Sequence, residues 1–414
     1  MHLDSLWGDV RIAARNAARR PGFTLLVALT LALGLGVNSA VFALVDAVLL
    51  RPLPFRDPSR LVFVWQTLPQ QNVFEVEATP FDYTAWQSLH SLSSLAMMNF
   101  GTFTLTGSGD EPERVRGVRM TASMMSTLGI APAIGRAFAA AEDRDDVQAT
   151  VILSDGLWRR RFGGSSAVLG RSIEIDGVPR TVVGVMPPGS RLPGPAIDDN
   201  ELWLPMHMSA AEAANEISHN YTMVGRLADG VAMSAASAEL DAFAARMAAE
   251  QPSHVRIGAR LVSVEERSVR NVRPALLVAA AGVALLLIIA ATNASTLLIA
   301  RAANRRQELA VRAALGATRG RLLSLSITEC LLFAGIGGAA GVVLGRFVLR
   351  AVVLLFAGSL PSALAIEIDA RATVATAAFA IAIGVVSGAV AAYRPRDLGI
   401  ATMGGGARAT ASRA

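Results

Sequence analysis

Long apolar runs alternate with short arginine-rich flanks, and one long stretch between them has the mixed texture of a folded polar domain. The apolar runs cover about Phe23–Leu50, Ala275–Ala300, the segment from beyond Arg321 to about Val348, and the segment between Arg371 and Tyr393. Each exceeds the roughly 20 residues needed to cross about 30 Å of hydrocarbon. The pattern predicts four membrane-spanning helices. The first run is too long for a secretory apolar core of about 7–15 residues, so it reads as an anchor and not a cleaved leader.

Between the first two runs the period changes. Leu61–Gln66, Thr102–Thr106, Val115–Met120, Thr150–Leu153, Ser172–Ile175 and Thr181–Val185 read as strands, with Asp176-Gly177 as a hairpin turn. Thr79-Pro80 opens a helix to about Leu89, with Pro at its first position. Ser154 caps a short helix carrying Leu157, Trp158 and Phe162, and Ser234–Glu250 carries the stripe Ala236, Leu240, Phe243, Met247. The expected fold is an integral membrane α-helical protein with four transmembrane helices and a large mixed α/β extracytoplasmic domain of small split β-α-β units. The expected division is an amphipathic N-terminal helix at 1–21, spans at 22–50, 274–300, 322–349 and 372–393, and an outer domain at 51–273. A loop at 301–321, a short outer loop at 350–371 and a tail at 394–414 complete it. In the N-terminal helix, Leu3, Leu6, Trp7, Val10 and Ala14 recur at three-to-four spacing beside Arg11 and Arg15, as in a helix lying on membrane lipid.

Charge placement changes how the composition is read. The 414 residues are 52% hydrophobic and 17% charged, with a net charge of +5. Every basic residue is arginine; there is no lysine. Residues 51–273 hold 21 arginines against 25 acids, a net of −4, so the excess lies elsewhere. It concentrates in residues 1–21, 301–321 and 394–414. A nucleic-acid binder would carry a basic stripe on its folded domain; here the excess marks cytoplasmic flanks. Both termini and the 301–321 loop are therefore expected in the cytoplasm and 51–273 outside, with Arg346, Arg350 and Arg371 dissenting. Gly337, Gly341 and Gly345 on the third span, and Gly384 and Gly388 on the fourth, have the four-residue spacing of close helix packing. Asp46, Glu329 and Arg346 are the few ionisable residues within the spans, too few for an ion-coupled carrier.

Catalytic and metal signatures are absent. Without lysine there is no phosphate-loop lysine, so ATPase activity would reside in a partner. The five histidines lack metal-ligand spacing, although His207 and His219 could meet in space. Asp143, Asp145 and Asp146 lack the glycine and terminal glutamate of a calcium loop. One cysteine, Cys330, excludes an intramolecular disulfide and a multi-cysteine zinc site. No catalytic, cofactor-binding or metal residue is expected, and no cofactor.

Several stretches carry a family likeness. They are Arg20–Thr24, Leu33–Ala40 and Val48–Pro54 around the first span, then Met124–Phe138 (with Leu128-Gly129-Ile130 and Gly135-Arg136), Ser154–Gly170 and Gly184–Pro187. The most specific is Asn293–Thr328, with Arg306–Arg312 and Leu315-Gly316-Ala317. Across its length the chain resembles the MacB/FtsX type of ABC transporter permease, and the acidobacterial duplicated orphan permease branch within it. The resemblance implies a MacB-like periplasmic core domain, an FtsX-like permease region over 274–393 and an inner-membrane location. It also implies a separate ABC ATPase partner that binds the ATP, a second permease copy (homodimer or paralogous half) and an envelope adaptor. Efflux or mechanical transmission would follow. Glu308 stands four residues before Arg312, a supportive helical pair, and Gly316 suits a helix end. Those residues alone fit either a plain positive loop or a docking element. The resemblance favours docking, with Glu308, Arg312 and Gly316 coupling to the ATPase. Members of the duplicated branch carry two four-span halves, and this chain has one, so a half-permease or a truncated product is expected. The alternative function is a membrane-anchored regulator or scaffold controlling an envelope partner.

Overall fold

The protein is described here from a computed structural model covering residues 3–106, 111–194, 200–250, 258–304, 314, 318–355 and 368–393. The expected coupling residues Glu308, Arg312 and Gly316, and the tail at 394–414, lie outside the described residues. The chain forms two compact units, one of spanning helices and one of residues 51–272.

Helix α1 (Leu3–Arg19) leads directly into α2 (Pro21–Val45), where Pro21 occupies the first turn, and α2 widens into a π-helical turn at Asp46–Leu50. Strands β1 (Leu61–Leu68) and β2 (Val73–Val76) then pair antiparallel. Helix α3 (Pro80–Trp86) starts at a capping box in which the Thr79 hydroxyl accepts from the Asp82 amide and the Asp82 carboxylate accepts from the Thr79 amide at 2.8 Å. Next come β3 (Leu92–Thr106), β4 (Glu113–Met120), α4 (Ser123–Leu128), β5 (Ile134–Gly135) and β6 (Thr150–Leu153). Helix α5 (Asp155–Phe162) is capped by Ser154, whose hydroxyl accepts from the Leu157 amide at 3.1 Å. Strands β7 (Ser172–Ile175) and β8 (Val178–Val185) form a hairpin with Ile175 opposite Val178. Its two turn residues, Asp176 (φ 50°) and Gly177 (φ 76°), both take left-handed backbone, as a tight primed turn requires. Then follow β9 (Leu202–Pro205), α6 (Ala210–Ala213), β10 (Thr222–Leu227), α7 (Met233–Glu250), β11 (Gly258–Ser263) and α8 (Val264–Val269). Three long helices close the chain: α9 (Arg273–Asn304), α10 (Arg319–Leu355) and α11 (Ala370–Tyr393).

The sheet domain departs from a set of small β-α-β units. One mixed sheet runs β11-β1-β10-β3-β4-β9-β6-β8-β5, with β2 on β1 and β7 bridging β3 and β8. Among the described strands β4–β9 and β6–β8 pair in parallel; after β6 the chain passes through α5 and the β7–β8 hairpin, which returns β8 alongside β6. The other strand pairs are antiparallel. Two apolar cores result. One packs Val64, Leu95, Met97 and Met223 under Trp86 of α3 and Leu240 and Phe243 of α7. The other packs Leu105, Val115, Val151, Ile173, Val182 and Leu204 under Leu157 of α5.

Two family-like stretches acquire physical reasons. Gly129 (φ 72°) ends α4, and a Cβ there would stand 2.4 Å from the Cβ of Arg56, whose amide donates to Leu128 O at 3.0 Å. Arg136 makes a two-pronged pair with buried Glu142 at 2.8 and 3.0 Å. Burial alone would raise the Glu142 carboxyl, but Arg136 and the Ala139 amide outweigh it and hold the group below its ordinary value.

Candidate functional site

Four helices are long and apolar enough to cross a membrane: Pro21–Leu50, Arg273–Arg301, Leu323–Leu355 and Ala370–Val390. Many of their large side chains face outward, including Leu25, Leu29 and Leu33 on the first span and Leu285, Ile288 and Ile289 on the second, while Leu31, Leu35 and Phe333 pack inward. Small residues line the seams between helices. In lipid no hydrophobic force separates these surfaces, so association relies on close backbone approach and polar contacts.

The glycines singled out in the sequence line these seams. A Cβ on Gly337 would stand 2.6 Å from Leu31 Cβ, one on Gly341 3.1 Å from Leu35 Cβ, and one on Gly345 2.9 Å from Gly36 O. All three therefore face the first span. Gly384 and Gly388 face the third span, where a Cβ would meet Leu331 Cδ2 at 2.9 Å and Ile327 Cα at 2.6 Å. The sequence reading missed the matching glycines on the first span. A Cβ on Gly34 would stand 2.5 Å from Ala290 Cβ of α9 and one on Gly36 2.9 Å from Gly341 O of α10, so one turn admits neighbours on two sides. Polar links add to this: Asn38 Nδ2 donates to Val283 O at 3.1 Å, and Ser295 and Ser387 hydroxyls meet at 2.7 Å.

The strongest electrostatic feature lies where α9 approaches the 301–321 segment. Arg301, read in the sequence as a flank charge, is buried and pairs with Glu329 of α10 at 3.0 Å. It also donates to Asn16 O of α1 at 3.3 Å. Its guanidinium sits 4.8 Å from the Phe23 ring of α2 and 5.0 Å from the Phe333 ring of α10. Those rings meet edge to face at 6.0 Å. One arginine thus ties four helices. Removing one member of a buried pair costs about 3–5 kcal/mol in soluble proteins, because the other charge stays desolvated. Cys330 is buried beside it. At the far end of the first span, Asp46 is buried in the π-helical turn with Arg371 of α11 at 4.0 Å.

Helix α1 buries Ala13 and Ala17 against the bundle and turns Trp7, Val10, Ala14, Arg11 and Arg15 outward. Among the described residues no three His, Cys, Asp or Glu side chains converge as metal ligands. Among the described residues His219 Nδ1 lies 3.2 Å from Glu77 O, whereas His207 Nε2 has no hydrogen-bond partner.

This is the architecture of a polytopic membrane protein whose first two spans bracket a folded domain. The chain belongs to the MacB/FtsX-type permease family: residues 24–243 match the MacB-like periplasmic core domain, and residues 279–400 match the FtsX-like permease C-terminal domain. The pyoverdine export ATP-binding/permease protein PvdT of Pseudomonas aeruginosa is 24% identical over 203 residues, 49% of this chain and 30% of that protein. The macrolide export ATP-binding/permease protein MacB of Chromobacterium violaceum is 26% identical over 240 residues, 56% of this chain and 36% of that protein. The chain thus spans about a third of the length of these relatives. Two solved structures are similar. One is the periplasmic region of MacB from Actinobacillus actinomycetemcomitans (TM-score 0.39, 12% identity, 52% of this chain and 94% of that one). The other is the extracellular domain of the noncanonic ABC-type transporter YknZ from Gram-positive bacteria (TM-score 0.37, 13% identity, 48% and 99%).

Proposed function

We propose that this chain is a permease subunit of an ABC-type system, working with a separate ATPase and a second permease copy in the bacterial inner membrane. Both termini and the 301–321 segment face the cytoplasm, in keeping with their arginine excess. ATP is bound and hydrolysed by the partner, which docks on Glu308, Arg312 and Gly316. Its closure moves the first and second spans, which continue into the outer domain at Arg51 and Arg273, and the outer domain changes shape. The output is efflux or mechanical transmission.

The observation that carries this reading is the Arg301–Glu329 pair. A mechanical relay needs the helices next to its docking segment to move together. Arg301 opens the 301–321 segment and joins α1, α2, α9 and α10 seven residues before Glu308. The names of the relatives, ATP-binding/permease export proteins, support the same class.

The test is to solubilise the tagged protein from its native membrane and identify what accompanies it by mass spectrometry. The proposal expects an ATPase subunit at comparable abundance. A clean preparation without an ATPase contradicts it. Glu308→Ala together with Arg312→Ala should release that subunit; retention at the wild-type level would remove these residues from the docking role.

A further inference from the structure

Arg226 is buried in the sheet domain and Arg180 is half-buried there, and their surroundings treat them differently. Arg226 of β10 is saturated. Its Nε and Nη2 donate to Thr127 O at 2.9 and 2.7 Å, Nη2 also reaches Arg56 O at 2.5 Å, and Nη1 reaches Asp57 O at 3.3 Å. Arg180 of β8 has no such cage: its Nε and Nη1 are buried and neither has a hydrogen-bond partner among the described residues.

Register explains where Arg180 points. It lies opposite Ile173 of β7 and two residues before Val182, and both belong to the apolar core beneath α5. Cross-strand partners and alternate residues share a face, so its guanidinium leaves the strand on the core side. Arg119 of β4 lies opposite Leu204 of β9, another member of that core, and emerges on the same face. His207 follows β9 directly. Its backbone is left-handed (φ 47°), uncommon for a residue with a side chain, and its Nε2 is buried without a partner among the described residues.

Three potential cations therefore gather at one rim of an apolar core. Burial pushes Arg180 below its ordinary value and Arg119 adds to the push; burial also lowers His207, and both arginines add to that. The acids facing the group are engaged elsewhere or stand further off. The Asp176 carboxylate favours charged Arg180 but accepts the Thr104 amide at 2.7 Å. Asp145 favours charged His207 without a hydrogen bond to it. Glu212 sits 3.6 Å from Arg119 and caps α6 through the Ser209 amide at 3.0 Å. Arg119 itself donates through Nε to Met206 O at 3.1 Å and through one Nη to Met206 O and to His207 O at 3.4 Å, which places its guanidinium beside His207. Desolvating guanidinium nitrogens without a partner is costly, and a chain that saturates Arg226 with carbonyls leaves Nε and Nη1 of Arg180 open.

We propose that Arg180, His207 and Arg119 form an anion site in the outer domain that takes a single oxyanion group, the phosphate or carboxylate of a small ligand. The guanidinium fork of Arg180 supplies parallel donors, His207 Nε2 adds a third, and Arg119 contributes charge. Neither the family likeness nor the proposed coupling to an ATPase is needed for this site, and either can fail without it.

The test uses the full chain in nanodiscs. Sodium phosphate, and separately sodium acetate, is titrated against chloride at matched ionic strength, with the His207 imidazole followed by NMR and unfolding followed by heat. At least one anion should give a saturable rise in the His207 titration midpoint and in melting temperature. Arg180→Met should weaken that response at least tenfold while the anion-free protein melts no lower than wild type, since the desolvated charge is gone. His207→Asn tolerates the left-handed backbone and should weaken the response as well. Absence of a saturable response to both anions in the wild type overturns the site, as does a wild-type response in Arg180→Met. If Arg180→Met fails to fold, its charge serves the structure and an undiminished response in His207→Asn overturns the proposal.

Discussion

In the sheet domain the largest side chains turn inward: Trp203, Phe63, Met97 and Leu105 are almost fully buried. In the spanning bundle many large side chains, among them Ile288, Phe347 and Val374, turn outward, and glycine, alanine and serine at the seams bring the helices together around a small core with Leu31, Leu35 and Phe333. The difference follows from the solvent each surface meets. In water, burying apolar area is the main driving force. In lipid it yields nothing between helices, so contact is made by atoms that approach closely and by the few polar groups that have nowhere else to go. Arginine tracks the same contrast. Arg226 in the sheet domain is satisfied by backbone carbonyls, whereas Arg301 in the bundle needs a carboxylate and two aromatic rings.

Truncation at large residues is the sharpest way to break this comparison. Trp203→Ala should destabilise the sheet domain by about 3–5 kcal/mol, read as a loss of its thermal transition. Leu286→Ala on the outward side of the second span should change bundle stability by no more than about 0.5 kcal/mol, and comparable losses at both sites would erase the contrast. Enlargement should reverse the pattern. Gly388→Val places a branched side chain against the backbone of Ile327 and should cost the bundle about 1–3 kcal/mol, measured by unfolding in mixed micelles. The Arg136–Glu142 pair offers a smaller effect: Glu142→Gln should cost the outer domain about 1–2 kcal/mol, because Arg136 and the Ala139 amide lose a charged acceptor.

The smallest expected effect is a pH dependence. Burial pushes Asp143 up to about 6 from 3.8, with Glu142 adding to the rise and the Ala122 and Met206 amides opposing it. A carboxyl raised on folding is favoured protonated, so its contribution is full below about pH 3.8 and is lost as pH rises to about 6. Asp143→Asn should flatten the melting temperature of the outer domain across that window. An unchanged slope would assign the dependence to another group.

Local signals in the sequence were legible where chemistry is local. Thr150–Leu153 and Ser172–Ile175 read as strands with the bounds they have, and Asp176-Gly177, Thr79 and Ser154 announced a turn and two caps. Strands β9 and β10 were missed for identifiable reasons. Leu202–Pro205 is buried on both faces and lacks alternation, and Thr222–Leu227 carries Gly225 and Arg226 in its centre. The first half of β3, Leu92–Gly101, is rich in serine and small residues and was passed over although it lies mid-sheet. Apolar runs revealed four spans, but no periodicity says that Arg301 reaches Glu329, because that contact depends on how two helices pack. Asn16 and the rings of Phe23 and Phe333 were equally silent. The anion-site residues were individually visible, with His207 considered as a metal ligand, but only the register of β8 and β4 sets Arg180 and Arg119 on one face.

The central claim is that the bundle relays ATP turnover to the outer domain through the Arg301 contact. In the complex with its co-purified ATPase, spin labels on the outer domains of two permease copies would report a distance with and without ATP. The account predicts an ATP-dependent change in the wild type that is lost in Glu329→Gln while ATPase association persists. A change of the same size in Glu329→Gln, or none in the wild type with ATP being hydrolysed, would contradict it.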